Sequence, residues 1–210
     1  MEVDGMNELL EVAMREYSGR LNKSCGDKID YCIKIPVMGA GERIDGYYTR
    51  RAEILESRLK AANPHDMTGD WRIEGGFYPE YISDRFISVS GEVYEDRGLM
   101  GDRLTRFSEI WDRKNCRIVP LLSLACSPSE LMRIIREKTR TEINKLEAEC
   151  TGSFYNIPLP FYDGAFLTEN GIVWWHRRGS IAPRSGGIPT FMLAGKKAAS
   201  LFLFDIWKVV

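Results

Sequence analysis

The stretch FISVSGEVYEDRGLMGDRLTRFSEIW, residues 86–111, decides the fold class. In its first ten residues Ile87, Val89 and Val93 fall on one face, and Ser88, Ser90 and Tyr94 on the other. That period of two is the signature of a half-buried strand. Gly98 and Gly101 interrupt the run, and residues 104–111 resume it. Strands joined this closely pair antiparallel. The stretch therefore predicts a hairpin with a long loop, inside a β region covering 71–119, with a second turn at 112–115 before Ile118 and Val119.

Toward the carboxy end, Ser127-Pro128-Ser129-Glu130 is a helix start. Ser127 caps free N–H groups, Pro128 occupies the first helical position, and Glu130 can reach back to close a capping box. The helix runs to Ala148, with Leu131, Ile134, Ile135, Ile143 and Leu146 inward. Its other face carries Arg133, Arg136, Lys138, Arg140 and Lys145 among Glu137, Glu142 and Glu147, which reads as a solvated face. Residues 165–168 and 172–175 flank Glu169-Asn170-Gly171, a strong hairpin signal. An irregular stretch, 177–187, precedes a strand at 188–193. In the segment 198–210, Leu201, Phe202, Leu203, Phe204, Ile206 and Trp207 demand cover from the core or from a partner.

Toward the amino end, the spacing of Leu10, Ala13, Met14, Tyr17 and Leu21 predicts a helix over 7–21. A short strand at 31–35 closes at Pro36. A second helix is expected over 47–62, with Asp45 as N-cap and Asn63-Pro64 as its stop. The fold class is α+β: a largely antiparallel sheet with hairpins, packed against about three helices.

Composition narrows the function classes. Twenty-nine basic and 30 acidic side chains leave a net charge of −1, which does not favour nucleic acid or an anionic membrane as partner. No run of about 18 apolar residues offers a transmembrane segment. Met1-Glu2-Val3-Asp4 opens no signal peptide, so a cytoplasmic location is the expectation. The 5 cysteines (Cys25, Cys32, Cys116, Cys126 and Cys150) form no Cys-x-x-Cys pair and read as scattered, mostly buried thiols. A local Cys25–Cys32 bridge is the alternative.

Catalytic patterns are not recognised. The 2 histidines, His65 and His176, lie in no metal-binding frame, and no Gly-x-Ser-x-Gly elbow occurs. Gly39-Ala40-Gly41-Glu42-Arg43-Ile44 resembles a dinucleotide loop, but Ile44 stands where the third small residue is needed. No catalytic residue, metal or cofactor is assigned. The candidate binding surface is Trp174, Trp175, His176, Arg177, Arg178, Pro183 and Arg184, because Trp and Arg anchor interfaces. The competing structural reading puts one Trp in the core, the other half over a sheet, and the arginines in water.

Ala165-Phe166-Leu167-Thr168-Glu169-Asn170-Gly171-Ile172-Val173-Trp174-Trp175, then Ser180-Ile181-Ala182-Pro183 and Gly186-Gly187-Ile188-Pro189, resembles the hallmark of the RsiV-type domain. That bacterial domain forms the extracellular part of the anti-sigma factor RsiV and an accessory region of PdaC-type peptidoglycan deacetylases. Residues 87–95 and Trp111-Asp112 are similar to its central hairpin, and Ile33-Lys34-Ile35-Pro36 to its companion domain of unknown function. The resemblance covers roughly 29–193. It implies an amino-terminal subdomain, 1–85, and an RsiV-type carboxy-terminal domain, 86–210, together one compact unit. It also implies a protein or cell-wall-related partner, and relatives that are extracellular. This chain departs from the family at Gly98-Leu99-Met100-Gly101-Asp102, which lacks a histidine, and at Arg184, where a tyrosine is usual. Lysozyme recognition is therefore not carried over, and neither is deacetylase chemistry, which belongs to a different domain of those enzymes. The reading is a non-enzymatic binding or sensing domain. Two alternatives stand beside it: a small enzyme assembled around His176, and a structural module that forms a homo-oligomer through its apolar carboxy-terminal segment.

Overall fold

Residues 12–62, 69–149 and 152–207 are described by the computed structural model. Six strands form one sheet in chain order: β1 (Ala13–Asn22), β2 (Lys28–Val37), β3 (Trp71–Ile82), β4 (Phe86–Asp96), β5 (Asp102–Asp112) and β6 (Arg117–Ile118). Neighbours are antiparallel except β2 and β3, which run parallel because helix α1 (Glu42–Lys60) carries the chain back between them. A second, antiparallel sheet holds β7 (Gly164–Thr168), β8 (Gly171–Trp175) and β9 (Thr190–Ala194). Helices α2 (Pro128–Ala148) and α3 (Gly195–Ala198) complete the α+β architecture.

The expected hairpin is β4–β5, and its faces divide as the alternation requires. Ile87, Val89, Val93 and Trp111 join Ile33, Ile73 and Phe77 beneath the α1 side chains Ile44, Tyr48, Ala52 and Leu59. The opposite face supplies Phe86 and Ile110 to a second core with Leu131 and Ile135 of α2 and Leu167, Ile172 and Trp174 of the small sheet. Each large apolar side chain so buried contributes about 1.5–3 kcal/mol. The Ser88 hydroxyl, fully buried between the sheets, accepts the Leu167 N–H at 2.8 Å.

Four expectations need correction. The helix over 7–21 is instead β1 in its described part; residues 7–11 lie outside the described residues. Tyr17 and Leu21 sit four apart, which satisfies a helix face and a strand face alike. Gly19 and Ser18 are weak helix formers, and the ladder from Ala13–Val37 to Asn22–Lys28 decides the matter. The Tyr31 ring lies over Gly19, where an added Cβ would meet the hydroxyl at 2.6 Å. Pro36 does not close β2, because the parallel ladder to β3 ends at Lys34 and Pro36 needs no N–H beyond it. Helix α1 begins at Glu42, so Asp45 lies in its first turn and accepts the Met38 N–H at 3.0 Å. The thiols are not mostly buried: Cys25 and Cys126 are exposed, Cys32 and Cys116 half-buried, and all four are free. Cys150 and His65 lie outside the described residues.

Other readings hold. Ser127 caps α2 by accepting the Glu130 N–H at 3.3 Å, although the Glu130 carboxylate turns to Arg133 instead of closing the box. In the β7–β8 hairpin Thr168 pairs with Gly171, so Glu169 and Asn170 form the loop. Gly171 has φ 147°, and an added Cβ would stand 2.1 Å from the Leu193 carbonyl. The apolar carboxy-terminal segment folds into its own chain's core through Phe202, Ile206 and Trp207, while Leu203 stays exposed. Among the described residues no helix is long and apolar enough to cross a membrane.

Candidate ligand-binding cleft

The register of β3, β4 and β5 sets a series of rungs beneath α1. Ile73, Glu95 and Arg103 share one rung; Val93 and Thr105 share the next; Phe77, Gly91 and Phe107 the one after; Val89 and Glu109 follow. Helix α1 crosses from β2 to β3, so it roofs that side of the sheet and leaves the face of β5 less covered. The result is a cleft of about 470 Å³ between α1 and β3–β5. That volume lies in the range of small-molecule sites.

The inner end of the cleft is braced. Arg51 of α1 stacks over Phe107, its guanidinium carbon 4.5 Å from the ring centroid, with Tyr47 and Phe77 also within reach at 5.4 Å. The same guanidinium donates to the Tyr47 hydroxyl at 2.8 Å and to Oε1 of Glu109. Glu109 is 8% exposed, and its Oε2 has no partner among the described residues. Burial pushes the Glu109 carboxyl up; Arg51 and Tyr47 pull it down without cancelling that effect. Behind it the Trp111 indole donates to the Tyr48 hydroxyl at 2.8 Å, and burial drives the Tyr48 phenol up as well.

The outer end carries unspent charge. Arg97 lies over the Trp71 ring at 5.4 Å and pairs with Glu95. Arg58 and Arg103 line the cleft, are exposed, and make no ion pair or hydrogen bond with a described residue. The Trp71 indole N–H is buried and has no acceptor among the described residues. The lining thus sets four arginines against one carboxylate, Glu95, in a chain of net charge −1. Its remaining residues are apolar or aromatic apart from Thr105. Such a surface attracts anions and shelters apolar groups.

With this arrangement in view, the likeness to known proteins is one of fold. The chain shares its fold with DUF3298 family proteins. A solved DUF3298 family protein of Pseudomonas aeruginosa PAO1 superposes with a TM-score of 0.68 at 14% identity, covering 93% of this chain and 96% of that one. A member of the same family from Bacteroides fragilis NCTC 9343 gives 0.61 at 9% identity, covering 93% and 95%. No protein-family model matches the sequence, and no curated protein does.

The residues singled out in the sequence lie elsewhere and split into two groups. Trp174, Trp175 and His176 are buried, because β8 is the central strand of its sheet and both its faces are covered. Trp174 donates to the Thr139 hydroxyl at 3.0 Å and Trp175 to the Ser108 hydroxyl at 3.2 Å. His176 is 2% exposed, edge-on to Phe191, with Nδ1 unpartnered among the described residues. Burial pushes its imidazole down, against a weaker upward pull from Asp163. Arg178 ties the loop by pairing with Asp102 and donating to the Arg184 carbonyl at 2.7 Å. Arg177 and Arg184 remain exposed, and Pro183 is half-buried. Among the described residues no group of three His, Cys, Asp or Glu could hold a metal ion.

Sequence reading missed the cleft residues. Arg51, Leu55 and Arg58 recur at helical spacing along one stripe of α1, so two guanidinium groups fall on the cleft side of an amphipathic helix. That stripe, together with Arg103 and Phe107 two rungs apart on β5, was the available signal.

Proposed function

We propose that this chain is a non-enzymatic binding domain whose ligand seats in the cleft between α1 and β3–β5. The observation that carries the proposal is the lining itself. Apolar and aromatic side chains form the floor, four arginines surround it, and no His, Cys, Ser or Asp is among the lining residues. Such a lining suits the holding of a ligand, and its one carboxylate, Glu95, is engaged by Arg97. The RsiV-type resemblance supports a binding role. In this reading the division at residue 85 has a use: the segment 1–85 supplies α1 and β3, and 86–210 supplies β4 and β5, so both halves shape the site.

The test uses 8-anilinonaphthalene-1-sulfonate, an aromatic anion whose fluorescence rises on burial. Saturable binding at one site is expected. Thr105→Trp, which adds bulk over the middle of the cleft, should abolish that binding while the thermal melt stays in place. Equal probe binding by Thr105→Trp would overturn the assignment of the cleft.

A further inference from the structure

We propose, resting on the cleft as the binding site, that its ligand is an amphiphile: an anionic head group on an extended apolar body. The argument is polarity along the rungs. At the outer end stand Arg58 and Arg103, whose guanidinium groups have no partner among the described residues, together with the unsatisfied Trp71 indole N–H. At the inner end Phe77 and Phe107 lie with ring centroids 5.7 Å apart, and Arg51 there is already engaged by Glu109. Uncompensated positive charge is therefore confined to the mouth, and the interior is apolar.

The dimensions agree from two directions. From the Arg103 rung to the Phe107 rung is four strand residues, about 13 Å. From Arg58 back to Arg51 is seven helix residues, about 10 Å. Over these comparable distances the floor passes from a charged to an aromatic side chain, and the roof from an unpaired guanidinium to one already neutralised by Glu109. An anion lacking an apolar body leaves the interior empty. A neutral apolar molecule leaves Arg58 and Arg103 unmatched. Carboxylate and phosphate heads share the required chemistry, since both accept from guanidinium groups.

Isothermal titration of the whole chain with dodecanoate, dodecyl phosphate, dodecanol and inorganic phosphate, below their aggregation limits, tests this. One molecule of dodecanoate or dodecyl phosphate should bind, with the tighter of the two identifying the head. Dodecanol should bind about tenfold more weakly, the effect of two exposed ion pairs, and inorganic phosphate should not register. The double variant R58A/R103A should bind the anions no better than dodecanol, with its melt unchanged. Equal affinity for dodecanol, full affinity in the double variant, or binding of phosphate alone would each overturn the amphiphile proposal. If these fail while Thr105→Trp still abolishes probe binding, the cleft stands and only the ligand class falls.

Discussion

Replacing Arg51 with Met is the sharpest probe of how the cleft is built. Met keeps most of the apolar stem over Phe107 and removes the guanidinium. Glu109, 8% exposed, then loses its charged partner and keeps the Tyr47 hydroxyl at 3.4 Å and the neighbouring Tyr48 hydroxyl. A hydrogen bond to a charged group is worth about 1.5–3 kcal/mol, and the cation over the aromatic rings adds about 0.5–1 kcal/mol. Arg51 is 27% exposed, which discounts the electrostatic part. The expected loss at pH 7 is about 2 kcal/mol, or a fall in Tm of about 4–8 °C for a chain of this size. Removing both charges, in Arg51→Met with Glu109→Leu, should restore most of that stability, because no carboxylate is then left stranded. The sign with pH follows from the raised Glu109 carboxyl. The folded state holds that proton more tightly than the unfolded one, so stability falls as pH rises from the ordinary carboxylate value through the folded one. The defect in Arg51→Met should therefore shrink on acidification toward pH 5. Urea unfolding of the wild type, Arg51→Met, Glu109→Leu and the double variant at pH 7 and pH 5 is the assay. An additive double variant, or a loss below about 0.5 kcal/mol at pH 7, would refute the picture of Arg51 as the partner of a buried carboxylate.

His176 should make the fold acid-sensitive, because its imidazole is held below its ordinary value of 6.5. As pH falls through that value the unfolded chain takes up a proton that the folded chain refuses, and stability drops; His176→Gln should flatten the profile measured by chemical denaturation between pH 5 and 7. Thr139→Val strands the Trp174 indole N–H and should cost about 1–3 kcal/mol, read as a lowered urea midpoint with unchanged slope. Gly171→Ala forces a Cβ onto the Leu193 carbonyl at a positive φ and should cost at least about 2–3 kcal/mol, with hydrogen exchange accelerating first in β8 and β9.

Much of the architecture was legible where one short period dominates. β4 and β5 alternate cleanly because one face meets α1 and the other meets the small sheet. α2 announces itself through Ser127 and Pro128 because capping is local. β1 was misread because Tyr17 and Leu21 fit two periods, and only the distant β2 distinguishes them. The parallel register of β2 and β3 leaves no local trace, since α1 sets it from 19 intervening helical residues. The cleft was missed for a related reason: Arg58, Trp71, Arg97 and Arg103 come from four different segments and meet only after the sheet has formed. Trp174 and His176 looked like a surface because a strand ending in Trp-Trp-His beside arginines is polar in sequence, whereas β8 is covered on both sides.

Tyr81 of β3 adds a constraint on how the molecule is made. The Tyr81 hydroxyl donates to the Ile206 carbonyl, 125 residues further along, and Phe204 packs on Phe86 while the Arg85 guanidinium sits 3.5 Å above it. These partners leave the ribosome after every strand of both sheets has been synthesised. The packing at the end of β3 and the start of β4 is therefore completed only once residues 202–207 are available, so this part of the core closes late in synthesis.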